Sequence, residues 1–128
     1  MPSRYETPLS TPDVDTWSGS AHLGAPLPDA PMRDRDGRPI WLLEALGGQE
    51  TILHVPNGEQ PPTGSHVLVI GDDLVDEHGF FAQRFDTGPG STYLVRPDQH
   101  LAARWRHATP SYLKNALRRL RGLEGGHA

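Results

Sequence analysis

The segment Tyr93-Leu94-Val95-Arg96-Pro97-Asp98-Gln99-His100-Leu101-Ala102-Ala103-Arg104-Trp105 consists of two apolar runs on either side of a proline turn. Pro97 fits the second position of a tight turn, so residues 91–96 and 100–105 are expected to pair as an antiparallel hairpin. Beyond it, Thr109 and Pro110 read as the N-cap and first residue of a helix. Leu113, Ala116, Leu117 and Leu120 recur at helical spacing, which makes that helix amphipathic. Arg118, Arg119 and Arg121 fall in its last turns, where cations favour the dipole.

Upstream, Thr51-Ile52-Leu53-His54-Val55 is a buried-strand pattern by length and β-branching. His66-Val67-Leu68-Val69-Ile70 is apolar without alternation, which predicts burial on both faces at a sheet centre. Between them, residues 56–64 hold Pro56, Pro61, Pro62 and two glycines and read as loop. Asp72 or Asp73 is expected to cap a helix running to about Phe85, although Gly79 interrupts it. Asp36-Gly37-Arg38-Pro39 is a turn, and residues 40–46 form one short helical segment closed by Gly47-Gly48. This order predicts an α/β domain with one central mixed sheet and flanking helices. Residues 1–32 carry six prolines and no periodicity and read as an extended arm or linker, with the domain proper at 33–128. Leu9, Val14, Trp17 and Leu23 are its candidate anchors.

A chain of 128 residues is one domain, long enough to bury a core without metal or disulfide staples. It holds no cysteine, which excludes disulfides, thiolate ligands and a thiol redox pair. No run approaches the length of a membrane span, and no secretory leader is visible, so the expectation is a cytoplasmic protein. Residues 1–100 carry 6 basic and 15 acidic side chains, against 6 basic and 1 acidic in residues 101–128. Such oppositely charged parts favour association, with like copies or a sister domain, over nucleic-acid binding.

The seven histidines include no pair at i, i+4 and no H-x-H, so no metal site is expected. The acidic run Asp72-Asp73-Leu74-Val75-Asp76-Glu77 reads as a helix N-terminus rather than as acid–base machinery. Gly64-Ser65-His66 lacks the second glycine of a nucleophile elbow, and no Gly-x-Gly-x-x-Gly follows a strand.

The hairpin resembles the "LVRPDGHVAWR" signature of FAD-dependent aromatic-ring hydroxylases, flavoprotein monooxygenases similar to phenol hydroxylase and 3-(3-hydroxyphenyl)propionate hydroxylase. Tyr5-Glu6-Thr7-Pro8-Leu9, the Gly24 to Pro31 stretch and Asp36-Gly37-Arg38-Pro39 to Gly48 resemble further pieces of the same C-terminal region, in order. The resemblance implies a thioredoxin-like fold without its redox pair, non-catalytic, contributing to subunit contacts. FAD and NAD(P)H would belong to an N-terminal part not present in these residues. Two departures stand out. Residues 56–65 are too short and proline-rich for the first crossover helix, which is expected to be missing and to leave a sheet face for a partner. Gln99 stands where the family has glycine, a strained choice if that turn needs a positive φ.

The expected function is therefore an assembly or dimerisation domain, as fragment or stand-alone relative. Its partner would be a second copy or the flavin-binding domain. Trp41, Leu94, Val95, Arg96, Pro97, Asp98, Arg104 and Trp105 are its interface or scaffold residues, with Arg96 and Asp98 expected to tie the turn to a neighbour. No catalytic, cofactor-binding or metal-binding residue is expected. The alternative is a small binding protein for a peptide or small aromatic ligand, held on the face left by the missing helix.

Overall fold

The structure, a computed structural model, describes residues 9–64 and 66–122. Most of the Tyr5 to Leu9 resemblance, Ser65, His127 and the terminal glycines Gly125 and Gly126 lie outside these residues. Two short strands, β1 (Pro31–Arg33) and β2 (Pro39–Trp41), form an antiparallel pair that leads into α1 (Leu42–Leu46). The main sheet contains β3 (Thr51–His54), β4 (Val67–Val69), β5 (Thr92–Val95) and β6 (Leu101–Trp105) in the order β4-β3-β5-β6. β3 and β4 are parallel and the other pairs antiparallel. α2 (Phe80–Phe85) and α3 (Pro110–Leu120) complete the fold. This is the mixed, thioredoxin-like α/β arrangement expected, and the β3–β4 link has no helix among its described residues.

Alternation along β3, β5 and β6 divides the core between the sheet's two faces. On one face Leu53, Tyr93, Val95 and Leu101 meet Phe81 and Phe85 of α2. Phe81 and Phe85 stack at 4.5 Å, and the Tyr93 hydroxyl donates to the Phe85 carbonyl at 2.8 Å. On the other face Ile52, Leu94, Ala103 and Trp105 meet Leu113, Ala116 and Leu120 of α3. Each such leucine contributes about 1.5–3 kcal/mol by leaving water. The Thr109 hydroxyl caps α3 by accepting from Tyr112 N at 3.0 Å, with Pro110 at the first turn.

Two expectations are corrected. β4 is an edge strand of intermediate burial, and the sheet centre is β3 and β5. Its apolar run arises because Val67 packs on the α3 side and Leu68 on the α2 side. Its edge is shielded by the following turn: Val69 N donates to Asp73 Oδ2 at 2.8 Å, and Asp72 N and Asp73 N donate to the Val69 carbonyl. The helix expected from Asp72 begins only at Phe80, because Asp73 is committed to β4 and Gly79 adopts φ 77°. Asp76 then supplies the cap from outside, accepting from Phe81 N at 3.0 Å and Ala82 N at 2.9 Å.

Residues 9–30 run across the domain without helix. Ala21, Leu27, Ala30 and the β1 residue Met32 are in the core. Leu9, Trp17 and Leu23 pack against it, whereas Val14 is exposed. Thr11 N, Gly24 N and the Ala25 carbonyl hydrogen-bond Ala102 and Leu101, covering the outer edge of β6.

Candidate binding groove

Where the crossover helix is missing, a groove of about 1010 Å³ opens between residues 57–63 and α3. Pro61, Pro62, Pro110, Leu113 and Leu117 give it apolar walls, and His54 and Thr92 line it from the sheet. These two residues sit opposite each other on β3 and β5 and face the α3 side. Their side chains meet at 2.9 Å. The Thr92 hydroxyl donates its one proton to the Gly90 carbonyl at 2.9 Å, so it accepts from His54 Nδ1–H. That fixes the tautomer and leaves Nε2 as a bare acceptor, buried and without a hydrogen-bond partner. Desolvation holds the His54 pKa below the ordinary imidazole value and keeps the ring neutral. On α3, Lys114, Arg118 and Arg121 add positive charge along the groove, and Glu59 adds a carboxylate from the loop. Arg121 is paired with Glu50 at 2.5 Å, whereas Lys114 and Arg118 have no acidic partner among the described residues.

The sequence-predicted site residues do not converge on this groove. Trp41 is 54% exposed at the end of β2. Leu94, Val95 and Trp105 are buried, Trp105 stacking on Tyr112 at 6.2 Å. Arg96 and Asp98 pair with each other at 2.6 Å across Pro97. Arg104 is buried against Asp13 and the Ala21 carbonyl, with its guanidinium 4.8 Å from the Trp17 ring centroid. The basic C-terminal concentration is partly neutralised within the chain: Arg104 by Asp13, Arg106 by Asp86 at 2.6 Å, and Arg121 by Glu50. The acidic run is likewise structural. Asp72 and Asp73 hold Arg35, and Glu77 holds Arg33. Burial alone raises the Asp73 carboxyl, but the Val69 amide and Arg35 outweigh it and hold it below the usual range. Among the described residues no three His, Asp or Glu side chains gather as a metal site.

His54 is the residue that sequence reasoning passed over. Its signal was a histidine inside a run of buried-strand residues, where a polar ring requires a partner. Which of its nitrogens goes unpaired depends on Thr92, 38 residues away.

The fold covers 94% of this chain and 25% of the flavin-dependent monooxygenase PieE, solved with FAD and substrate, at TM-score 0.76 and 25% identity. The chain resembles the C-terminal domain of an FAD-dependent aromatic hydroxylase. A second structure, aklavinone-11 hydroxylase with FAD and aklavinone, shares the fold at TM-score 0.70 and 21% identity, over 91% of this chain and 26% of that one. The hydroxylase-like domain thus spans about a quarter of the length of the proteins it matches. No protein-family model and no curated protein matches it. The parallel strands β3 and β4 are joined by a proline-rich stretch with no helix among its described residues. No described helix is long and apolar enough to cross a membrane.

Proposed function

We propose that this chain is the non-catalytic C-terminal assembly domain of an FAD-dependent aromatic-ring monooxygenase, working in the cytoplasm. FAD binding, NAD(P)H oxidation and hydroxylation fall to a larger flavin-binding part. The observation that carries this reading is the extent of the match: nearly all of this chain against a quarter of a flavin monooxygenase. The half-exposed Trp41, beside a short two-stranded pair, is the apolar anchor offered to a second copy or to the flavin-binding domain. Aromatic anchors of this kind dominate many interfaces.

Light scattering tests the reading directly. The expected mass is twice the 14.1 kDa of one chain, or that of a stoichiometric complex when a flavin-binding domain of such a monooxygenase is added. Trp41→Ala is expected to weaken that association by about tenfold or more while leaving the unfolding midpoint unchanged. A strict monomer that also ignores the flavin-binding domain overturns the proposal.

A further inference from the structure

α3 carries two stripes. Leu113, Ala116 and Leu120 are buried against the sheet. Pro110, Lys114, Leu117, Arg118 and Arg121 recur at i, i+4, i+7, i+8 and i+11, and all line the groove. This second stripe follows α3 from its first turn to its C-cap, about 16 Å at the α-helical rise. Its apolar part is incompletely covered: Leu117 is half-buried, and Pro110 and the facing Pro61 are exposed. Lys114 and Arg118, four residues apart on one side of the helix, have no acidic partner among the described residues. Across from them, the loop wall contributes the carboxylate of Glu59. The groove stands where a parallel strand connection ordinarily places its helix, and the described residues of the β3–β4 link supply none.

We infer that this groove receives an acidic amphipathic helix of about three turns from a partner protein. Carboxylates on one flank of that helix meet Lys114 and Arg118, and its apolar stripe covers Leu117 and the prolines. Its other flank carries no acid, because Glu59 faces it. The occupant is a helix rather than a strand because both edges of the main sheet are already covered. Thr11, Gly24 and Ala25 bond along β6, and the Asp72-Asp73 turn bonds Val69 of β4. What is left open is a face, and helices cover faces. A second copy has no matching element. Its α3 brings the same cations, and like charges repel. Its α1 and α2 have five and six residues and are packed through Leu42, Leu46, Phe81 and Phe85 into its own core. The inference goes beyond the assembly reading and does not rest on it: a monomer that ignores a flavin-binding domain still presents this groove.

The test titrates the full ¹⁵N-labelled chain of 128 residues with an acetylated, amidated peptide of two LEALEEA heptads. As a helix this peptide has a leucine stripe with glutamates on one flank and alanines on the other. Three controls accompany it: glutamine for every glutamate, proline for a central alanine, and a shuffled order of the same residues. Saturable amide shifts are expected in α3 and residues 57–63, with a gain of helical circular dichroism. The glutamine peptide is expected to bind roughly tenfold more weakly. The proline and shuffled peptides are expected to give no saturable shift. Lys114→Gln/Arg118→Gln is expected to keep the unfolding midpoint, to weaken the glutamate peptide by about tenfold, and to erase the preference for glutamate over glutamine. If that variant is not folded, the peptide series on the unaltered chain decides. Equal affinity for the glutamate and glutamine peptides overturns the inference, as does undiminished binding of the proline peptide, which assigns the groove to an extended segment. Equal binding of the shuffled peptide overturns it by reducing the effect to unspecific charge. No saturable shift at millimolar peptide overturns it too. So do α3 resonances that move with protein concentration alone, which assign the groove to a second copy.

Discussion

Gln99 replaces the glycine of the hydroxylase signature and does adopt φ 65°, so the strain expected at that turn is real. The side chain offsets it: Gln99 Nε2 donates to the Leu43 carbonyl at 2.7 Å and the Gly47 carbonyl at 3.1 Å. The Leu43 carbonyl, which also accepts from Gly47 N at 3.3 Å, gains a second donor, and the Gly47 carbonyl lies just past the end of α1. Gln99→Ala keeps the positive φ and loses both bonds, and is expected to cost about 1–2 kcal/mol in urea unfolding. Gln99→Gly loses the same bonds but relieves the backbone, so it is expected to be less destabilised than the alanine variant by about 1 kcal/mol. The turn was legible in Pro97-Asp98-Gln99 because proline restricts its own φ. The compensating bonds were not, because they reach 52 and 56 residues back along the chain.

At the scale of elements, α2 shows how main-chain groups help to hold a neighbouring stretch of chain. Ser20 N and Ala21 N both donate to the Arg84 carbonyl in its last turn, at 2.9 and 3.0 Å. Gly19 makes that approach possible: at φ 88°, a Cβ there would stand 2.6 Å from the Arg84 carbonyl oxygen and 2.9 Å from that of Gln83. Gly19→Ala is therefore expected to cost about 2–3 kcal/mol, read from the urea midpoint. Gly48→Ala, where a Cβ meets nothing within 4 Å, is expected to change stability by less than about 0.5 kcal/mol. Elements with purely local causes were readable in advance. α3 has its cap, its proline and its apolar spacing within the stretch from Thr109 to Leu120, and its bounds follow from them. α2 was misjudged because both carboxylates expected to cap it, Asp72 and Asp73, are held by Arg35 instead. Asp73 is captured by Val69 and Arg35, and Asp76 is left to do the capping.

Across the whole molecule, folding tunes charged groups in a consistent direction on the acid side. Desolvation lowers the His54 pKa, so the native state holds fewer protons there than the unfolded chain. That contribution is present above about pH 6.5 and is lost as pH falls below it. The Ser18 amide and Arg106 lower the Asp86 carboxyl, and the hydrogen bond from Arg33 lowers that of Glu77, as Val69 and Arg35 do for Asp73 against its burial. These contributions hold above the usual carboxyl range and disappear as pH drops through about 4. Burial raises the Tyr93 phenol, so stability is also expected to fall once pH passes about 10, where the unfolded tyrosine ionises. Urea unfolding across pH 3–11 should thus show a plateau near neutrality that declines on both sides. His54→Phe is expected to flatten the first acid step, the one that sets in as pH falls below about 6.5.

The sequence by itself determined the features with short-range causes: the hairpin turn, the capped terminal helix, the proline-rich link without a helix and the absence of thiol chemistry. It also carried the likeness to hydroxylase C-terminal domains, borne by residues 93–105. Only the tertiary structure decided which strand is central, because β3 and β4 are both apolar runs and the sheet order depends on β5 pairing with β3 from forty residues away. It alone decided where the basic side chains go, since Asp13, Asp86 and Glu50 reach Arg104, Arg106 and Arg121 through space. And it alone exposed the unpaired nitrogen of His54. Burial and hydrogen-bond satisfaction belong to the packed environment of a side chain, and that environment is assembled from segments the sequence keeps far apart.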